Sequence, residues 1–107
     1  MFTRVVEITS KPGKGRELSR TISDKVLTIL NSQTGFVDEV VLISEDNPDH
    51  ILALSFWKTG EDAQKYNREQ FPKVTELIKN LTEGPPQVRT FNVEQSTVHK
   101  IGAGKAA

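Results

Sequence analysis

The chain has 107 residues, the size of one ordinary domain, and it carries no cysteine, which excludes disulfides, thiolate catalysis and cysteine metal sites together. A chain this short buries about 65% of its unfolded surface, so a ligand cavity is expected to be small or shared with a second subunit. Lys plus Arg and Asp plus Glu balance at 14 each, which leaves no steering field for nucleic acid or an anionic membrane. No apolar run approaches the ~18 residues that cross a bilayer. Met1-Phe2-Thr3-Arg4 leads directly into strand-like sequence without an apolar signal core, so the expected location is cytoplasmic.

Phe2 to Ser10, with Val5, Val6 and Ile8, reads as a first strand, and Lys11-Pro12-Gly13-Lys14-Gly15 reads as a turn. From Arg16 the period changes. Leu18, Ile22, Val26, Ile29 and Leu30 form one face of an amphipathic helix, which Gly35 stops. Phe36 to Ser44 is a second strand, and Glu45-Asp46-Asn47-Pro48-Asp49 is a hairpin connection of turn formers. His50 to Trp57 is a third strand, apolar on both faces at its centre and therefore expected in the middle of the sheet.

Thr59 is placed to cap a second helix by accepting from the backbone N–H near Asp62, and Glu61 and Asp62 suit its positive end. The pattern runs through Ala63 and Tyr66, falters at Phe71-Pro72, and resumes at Val74, Leu77, Ile78 and Leu81. Pro72 has no N–H to donate, so two helical pieces are expected. Gln87 to Val98 is a last strand. Residues 1–98 form the single predicted domain, and 99–107 a C-terminal tail whose end is expected to be poorly ordered.

The order β-α-β-β-α-β gives an α+β, ferredoxin-like fold: a four-stranded antiparallel sheet with both helices on one face. The second and third strands are apolar on both sides, so the uncovered face is not a solvent face. A second copy of the chain stacking sheet on sheet solves this, and a homodimer is expected. Val41, and Leu54 if it shares the same face, are the positions where a charge would disrupt that buried layer.

No strong local catalytic motif is present. Gly13 and Gly15 precede a helix, but GxGxxG is absent and the neighbouring lysines suit a solvated turn. His50 and His99 are the only histidines, without HxH, HxxxH or HExxH spacing and without an identifiable carboxylate partner. His50 reads as a strand-start residue, and His99 as a solvated residue past the sheet. No metal and no cofactor are expected, and GxSxG is absent. The segment from Phe56 to Ala63 followed by Tyr66-Asn67-Arg68 stands out. Trp57 and Tyr66 each offer a large apolar body with one donor, which suits a pocket for a flat organic molecule. Asn67 and Arg68 supply polar groups beside them. Packing between helix and sheet is the competing reading of both aromatic residues.

The element order, the strand ending at Trp57 and the stretch WKTGEDAQKYNREQFPKV resemble the antibiotic biosynthesis monooxygenase (ABM) family of dimeric α/β-barrel proteins. The resemblance covers roughly residues 2–95 and includes GFVDEVVLISEDNPDHILALSFWKT. It implies cofactor-independent oxygenation of small or polycyclic phenols and quinols, haem degradation, or ligand binding without turnover on the same scaffold. Trp57 matches the family's usual Trp. Tyr66, Phe71 and Glu76 stand where members often carry His or Trp, and Val5 or Val6 where the haem-degrading branch carries Asn. Haem degradation is therefore disfavoured. A phenol oxygenase survives, because an ionised phenol passes an electron to oxygen where a pocket stabilises the anion and excludes water. Trp57, Tyr66, Asn67 and Arg68 are the residues expected to form that site, with Arg68 or Asn67 meeting the phenolate of a small aromatic molecule.

Overall fold

In the computed structural model, residues 1–102 are described. The chain runs through β1 (Phe2–Thr9), α1 (Gly15–Thr21), a π turn (Ile22–Val26), α2 (Leu27–Asn31), β2 (Phe36–Ile43) and β3 (His50–Trp57). It continues through α3 (Gly60–Glu69), α4 (Phe71–Ile78), a 3-10 turn (Lys79–Leu81) and β4 (Gln87–Asn92). The strands form one antiparallel sheet in the order β2-β3-β1-β4, so β3 is central as its two-sided apolarity predicts. This is the expected α+β, ferredoxin-like arrangement.

Register decides which side chains meet. Phe2 pairs with Trp57, Arg4 with Ser55, Val6 with Ala53 and Ile8 with Ile51. Because side chains alternate along strands, these residues share the face that the helices cover. Leu18, Ile22, Val26 and Leu30 from the first helical run, and Ala63, Tyr66, Val74 and Ile78 from the second, complete the core with them. Each such large side chain contributes about 1.5–3 kcal/mol of burial. The opposite parity places Val5, Leu52, Leu54, Phe56, Val40 and Leu42 on the other face, which no helix among the described residues covers. There Leu42 is 46% and Phe91 51% exposed. Val41 pairs with Ala53 and Val40 with Leu54, so Val41 and Leu54 lie on opposite faces of the sheet.

The first helical run, read from the sequence as continuous, is interrupted by the π turn, where the Leu27 N–H reaches back to the Ile22 carbonyl. Residues four apart on an α-helix drift by about 40° per step. The wider turn takes up part of that drift and keeps Ile22, Val26 and Leu30 all buried against the sheet. Hydroxyls of Thr21, Ser23 and Thr28 bond back to the carbonyls four residues earlier, a pattern that bends helices. The second helical region divides at Pro72 as the missing N–H requires, and Thr59 Oγ1 accepts from the Asp62 N–H at 3.1 Å.

Two glycines set close approaches. Gly35 turns the chain into β2 with φ +79°, and a side chain there would collide with the Asp62 carboxylate. At Gly15 a Cβ would lie 2.0 Å from the Pro48 carbonyl oxygen. That contact holds the β2–β3 hairpin against the start of α1, where the Asp49 carboxylate accepts from the N–H groups of Gly13 and Gly15. The chain's own carboxylate thus occupies the amides that a phosphate would need, in keeping with the solvated-turn reading.

β4 ends at Asn92, six residues short of the predicted Val98. After the Val93 N–H donates to the Met1 carbonyl, the chain folds back so that Ser96 and Ile101 bridge. His99 is not solvated past the sheet. Its ring lies 5.2 Å from the Phe56 ring, with Nε2 3.5 Å from Asp38 and the side chain 16% exposed. The expected disorder concerned the end of the tail, residues 103–107, which lie outside the described residues. No helix among the described residues is long and apolar enough to cross a membrane.

Candidate active site

One row of the sheet departs from the apolar pattern. Glu39 on β2 pairs with Ser55 on β3, Ser55 with Arg4 on β1, and Arg4 with Thr90 on β4. Four polar side chains therefore run across all four strands on the face beneath the helices. Above Arg4 stand Tyr66 of α3 and Phe71 of α4, with the guanidinium carbon 5.0 Å and 4.4 Å from their ring centroids, a cation–π arrangement.

Arg4 is 3% exposed, yet no carboxylate among the described residues lies within 4 Å of it. Its Nη2 donates to Asn67 Oδ1 at 2.9 Å. Burial lowers its pKa from the ordinary arginine value, opposed by the interaction with Tyr66. Removing a cation from water without an anionic partner costs stability. A charge held at that cost in a recess is a candidate functional group.

Glu39 faces the same recess. Burial, and then the neighbouring Asp38 charge, push its pKa up to about 7, so it exchanges a proton near neutral pH. Burial pushes the Tyr66 phenol up to about 12, with Arg4 opposing and Glu39 reinforcing. Tyr66 therefore stays protonated near neutral pH.

Between this row and the helices lies a cavity of about 30 Å³, lined by Arg4, Glu39, Ser55 and Tyr66 on its polar side. Val6, Ile22, Val26, Leu30 and Ala53 contribute to its apolar side. It has room for one or two water-sized molecules. On the other side of Arg4, between α3 and β4, a groove of about 210 Å³ is lined by Phe2, Arg4, Gln64, Asn67, Val88 and Thr90, with Ala63 at its base.

Of the four residues expected at the site, Tyr66 lines the cavity and Asn67 holds Arg4 from the groove side. Trp57 does not line either space. It is fully buried, 5.1 Å from the Tyr66 ring and 5.6 Å from the Phe36 ring, and its Nε1 donates to Ser55 Oγ at 2.9 Å. It therefore acts behind the cavity wall, where it occupies the Ser55 oxygen and leaves the hydroxyl proton to be donated elsewhere. Arg68 is exposed and lines neither space. Arg4 and Glu39, absent from the sequence reading, carry the site's charge. The signal for both lay in the strands: Phe2, Arg4, Val6 and Ile8 alternate, as do Glu39, Val41 and Ile43, and each series has one charge at a core-facing position.

The family description "antibiotic biosynthesis monooxygenase" matches residues 1–83. The chain belongs to this family. Among solved structures, this ABM protein is similar to SnoaB, a cofactor-independent oxygenase from Streptomyces nogalater, at 16% identity and TM-score 0.74, covering 90% of this chain and 95% of that one. It is also similar to the protein NE2512 of unknown function from Nitrosomonas europaea, at 15% identity and TM-score 0.74, with 90% and 91% covered. A conserved protein from Methanosarcina mazei Go1 follows at 19% identity and TM-score 0.70, with 86% and 92% covered. At these identities the structural likenesses establish the fold that the ABM domain shares with them. No curated protein sequence matches the chain. Among the described residues there is no group of three or more His, Asp or Glu positioned to hold a metal ion.

Proposed function

We propose that this ABM protein is a cofactor-independent monooxygenase of a phenol- or quinol-type aromatic substrate, working as a homodimer through the uncovered face of its sheet. The observation that carries the reaction is Arg4, a buried guanidinium with no carboxylate partner among the described residues, set between a cavity and a groove. A fixed cation in a water-poor recess favours the ionised form of a substrate hydroxyl. The hydroxyl proton leaves to solvent, and the resulting anion passes one electron to dioxygen. The substrate radical and superoxide combine through a new carbon–oxygen bond. Glu39, which exchanges a proton near neutral pH, protonates the resulting peroxide. Loss of the remaining proton on that carbon, with cleavage of the O–O bond, leaves a carbonyl and releases water. One oxygen atom of O₂ thus enters the product and the other leaves as water.

Oxygen uptake with a panel of quinols and anthrones tests the reading. Turnover without added cofactor, strongly reduced in Arg4→Met, is the expected result. Equilibrium binding with no uptake from any member of the panel would sink it. One observation favours that rival, a dimeric module that binds without turnover: the cavity of about 30 Å³ is too small for an aromatic ring.

The dimer is supported by the uncovered face, where Val40, Leu42 and Phe91 are 37%, 46% and 51% exposed. Stacking two such faces removes this apolar surface from water. Light scattering is expected to report about twice the chain mass; a monomer at micromolar concentration would contradict it.

A further inference from the structure

The cavity and the groove share a single wall residue, Arg4, and they differ in size and chemistry. The inner cavity, about 30 Å³, admits nothing larger than a diatomic or a water molecule. Away from its polar row it is lined by Ile22, Val26, Leu30, Val74 and Ile78. A water there finds partners only on the side of Arg4, Glu39, Ser55 and Tyr66, whereas an apolar gas needs none and fits against the aliphatic side chains. The groove, about 210 Å³, is lined by the apolar Phe2, Ala63 and Val88 and by the polar Gln64, Asn67 and Thr90. A lining of that kind suits a flat ring bearing a hydroxyl or an anionic oxygen. Val88 is a large apolar side chain left 38% exposed there. Asn67 gives its Oδ1 to Arg4, so its amide N–H groups remain to donate in the groove.

We infer that the two reactants occupy separate compartments: a one- or two-ring aromatic anion docks in the groove between α3 and β4 against Arg4, while dioxygen occupies the small, largely aliphatic cavity behind it. This rests on the oxygenase reading for the identity of the gas, but the docking site stands or falls by itself. It also removes the conflict between an aromatic substrate and a cavity too small to hold one. Arg4 then faces the substrate oxyanion on one side and the developing superoxide on the other. Asn67 fixes the guanidinium between them and is a positioning residue.

Equilibrium binding of 2-naphthoate, an aromatic anion that this chemistry does not oxygenate, tests the docking site. In the wild-type protein, ligand-induced NMR shifts are expected at Gln64, Val88 and Thr90. Thr90→Trp and Gln64→Trp fill the groove from opposite, exposed walls, and each is expected to weaken binding at least tenfold. Ala53→Val narrows the inner cavity and is expected to leave naphthoate affinity unchanged. Loss of binding in Ala53→Val but in neither Trp variant would move the ligand to the cavity and overturn the inference, as would no binding by the wild-type protein. A crystal under xenon pressure is expected to hold xenon in the inner cavity and not in the groove; an empty cavity would overturn the gas compartment. Naphthoate binding as expected, with no oxygen uptake from quinols, would remove the oxygenase reading and keep the docking site.

Discussion

The two faces of this one sheet carry similar apolar side chains, yet they are completed in different ways. Beneath the helices most of the apolar residues are buried, and the row Glu39, Ser55, Arg4 and Thr90 places the Arg4 charge among them. On the opposite face Val40, Leu42, Leu54 and Phe91 are joined by Glu7, whose carboxylate meets His50 Nε2 at 2.9 Å and Arg89 at 4.0 Å. The charged groups there are paired and partly solvated, whereas Arg4 has no anionic partner among the described residues. The difference teaches where to look for chemistry. Surface charges that neutralise one another are inexpensive, while a desolvated, anion-free guanidinium persists only where something outside the fold's own stability retains it.

Substitutions on each face test that contrast. The largest effect is expected from Val41→Asp, which sets a carboxylate against the core beneath the helices and costs several kcal/mol; circular dichroism and thermal melting are expected to report an unfolded or barely folded chain. Leu54→Asp carries the same charge to the opposite face. It is expected to leave the subunit folded and halve the mass seen by light scattering. If both variants unfold, or both remain wild-type in mass, the two faces are not distinct.

Arg4→Met separates activity from stability. Loss of the cation is expected to lower kcat/KM for a quinol by about 10²–10³-fold, with a melting temperature equal to or above that of the wild type, because a desolvated charge is removed. A large loss of stability would make Arg4 a structural residue instead. Glu39 gives a pH signature. Its carboxyl binds a proton more tightly in the folded chain, with a pKa of about 7, than at the ordinary 4.5. The folded state therefore holds more protons than the unfolded one between those values, and stability falls as pH rises through that window. Glu39→Gln is expected to flatten the melting temperature against pH between about 4.5 and 7, and an unchanged slope would assign that dependence elsewhere. Trp57→Phe removes the hydrogen bond to Ser55 and part of a filled core position, at about 1–3 kcal/mol, by chemical denaturation. Arg68→Ala, on the exposed side of α3, is expected to change stability by no more than about 0.5 kcal/mol.

Much of this was written in the order of residues. Alternation and helical period marked four strands and two helical runs, Pro72 announced the break between α3 and α4, and two-sided apolarity placed β3 at the centre of the sheet. These are local signals, set by backbone geometry and by which residues avoid water. The site was less legible. Trp57 drew attention by its size, but a large aromatic side chain closing a strand serves equally as cavity lining or as buried support. Only packing against Phe36 and Tyr66, with its N–H spent on Ser55, decided for support. Arg4 and Glu39 stood in plain view at core parity, yet they lie on β1 and β2, separated in the sheet by β3. What joined them was strand register, which brings residues 4, 39, 55 and 90 into one row. The sequence by itself determined the elements and which faces must be buried, because those follow from short-range periodicity. The partners of each buried charge, and hence the site, were decided only by tertiary structure, because they depend on pairings between residues far apart in the chain.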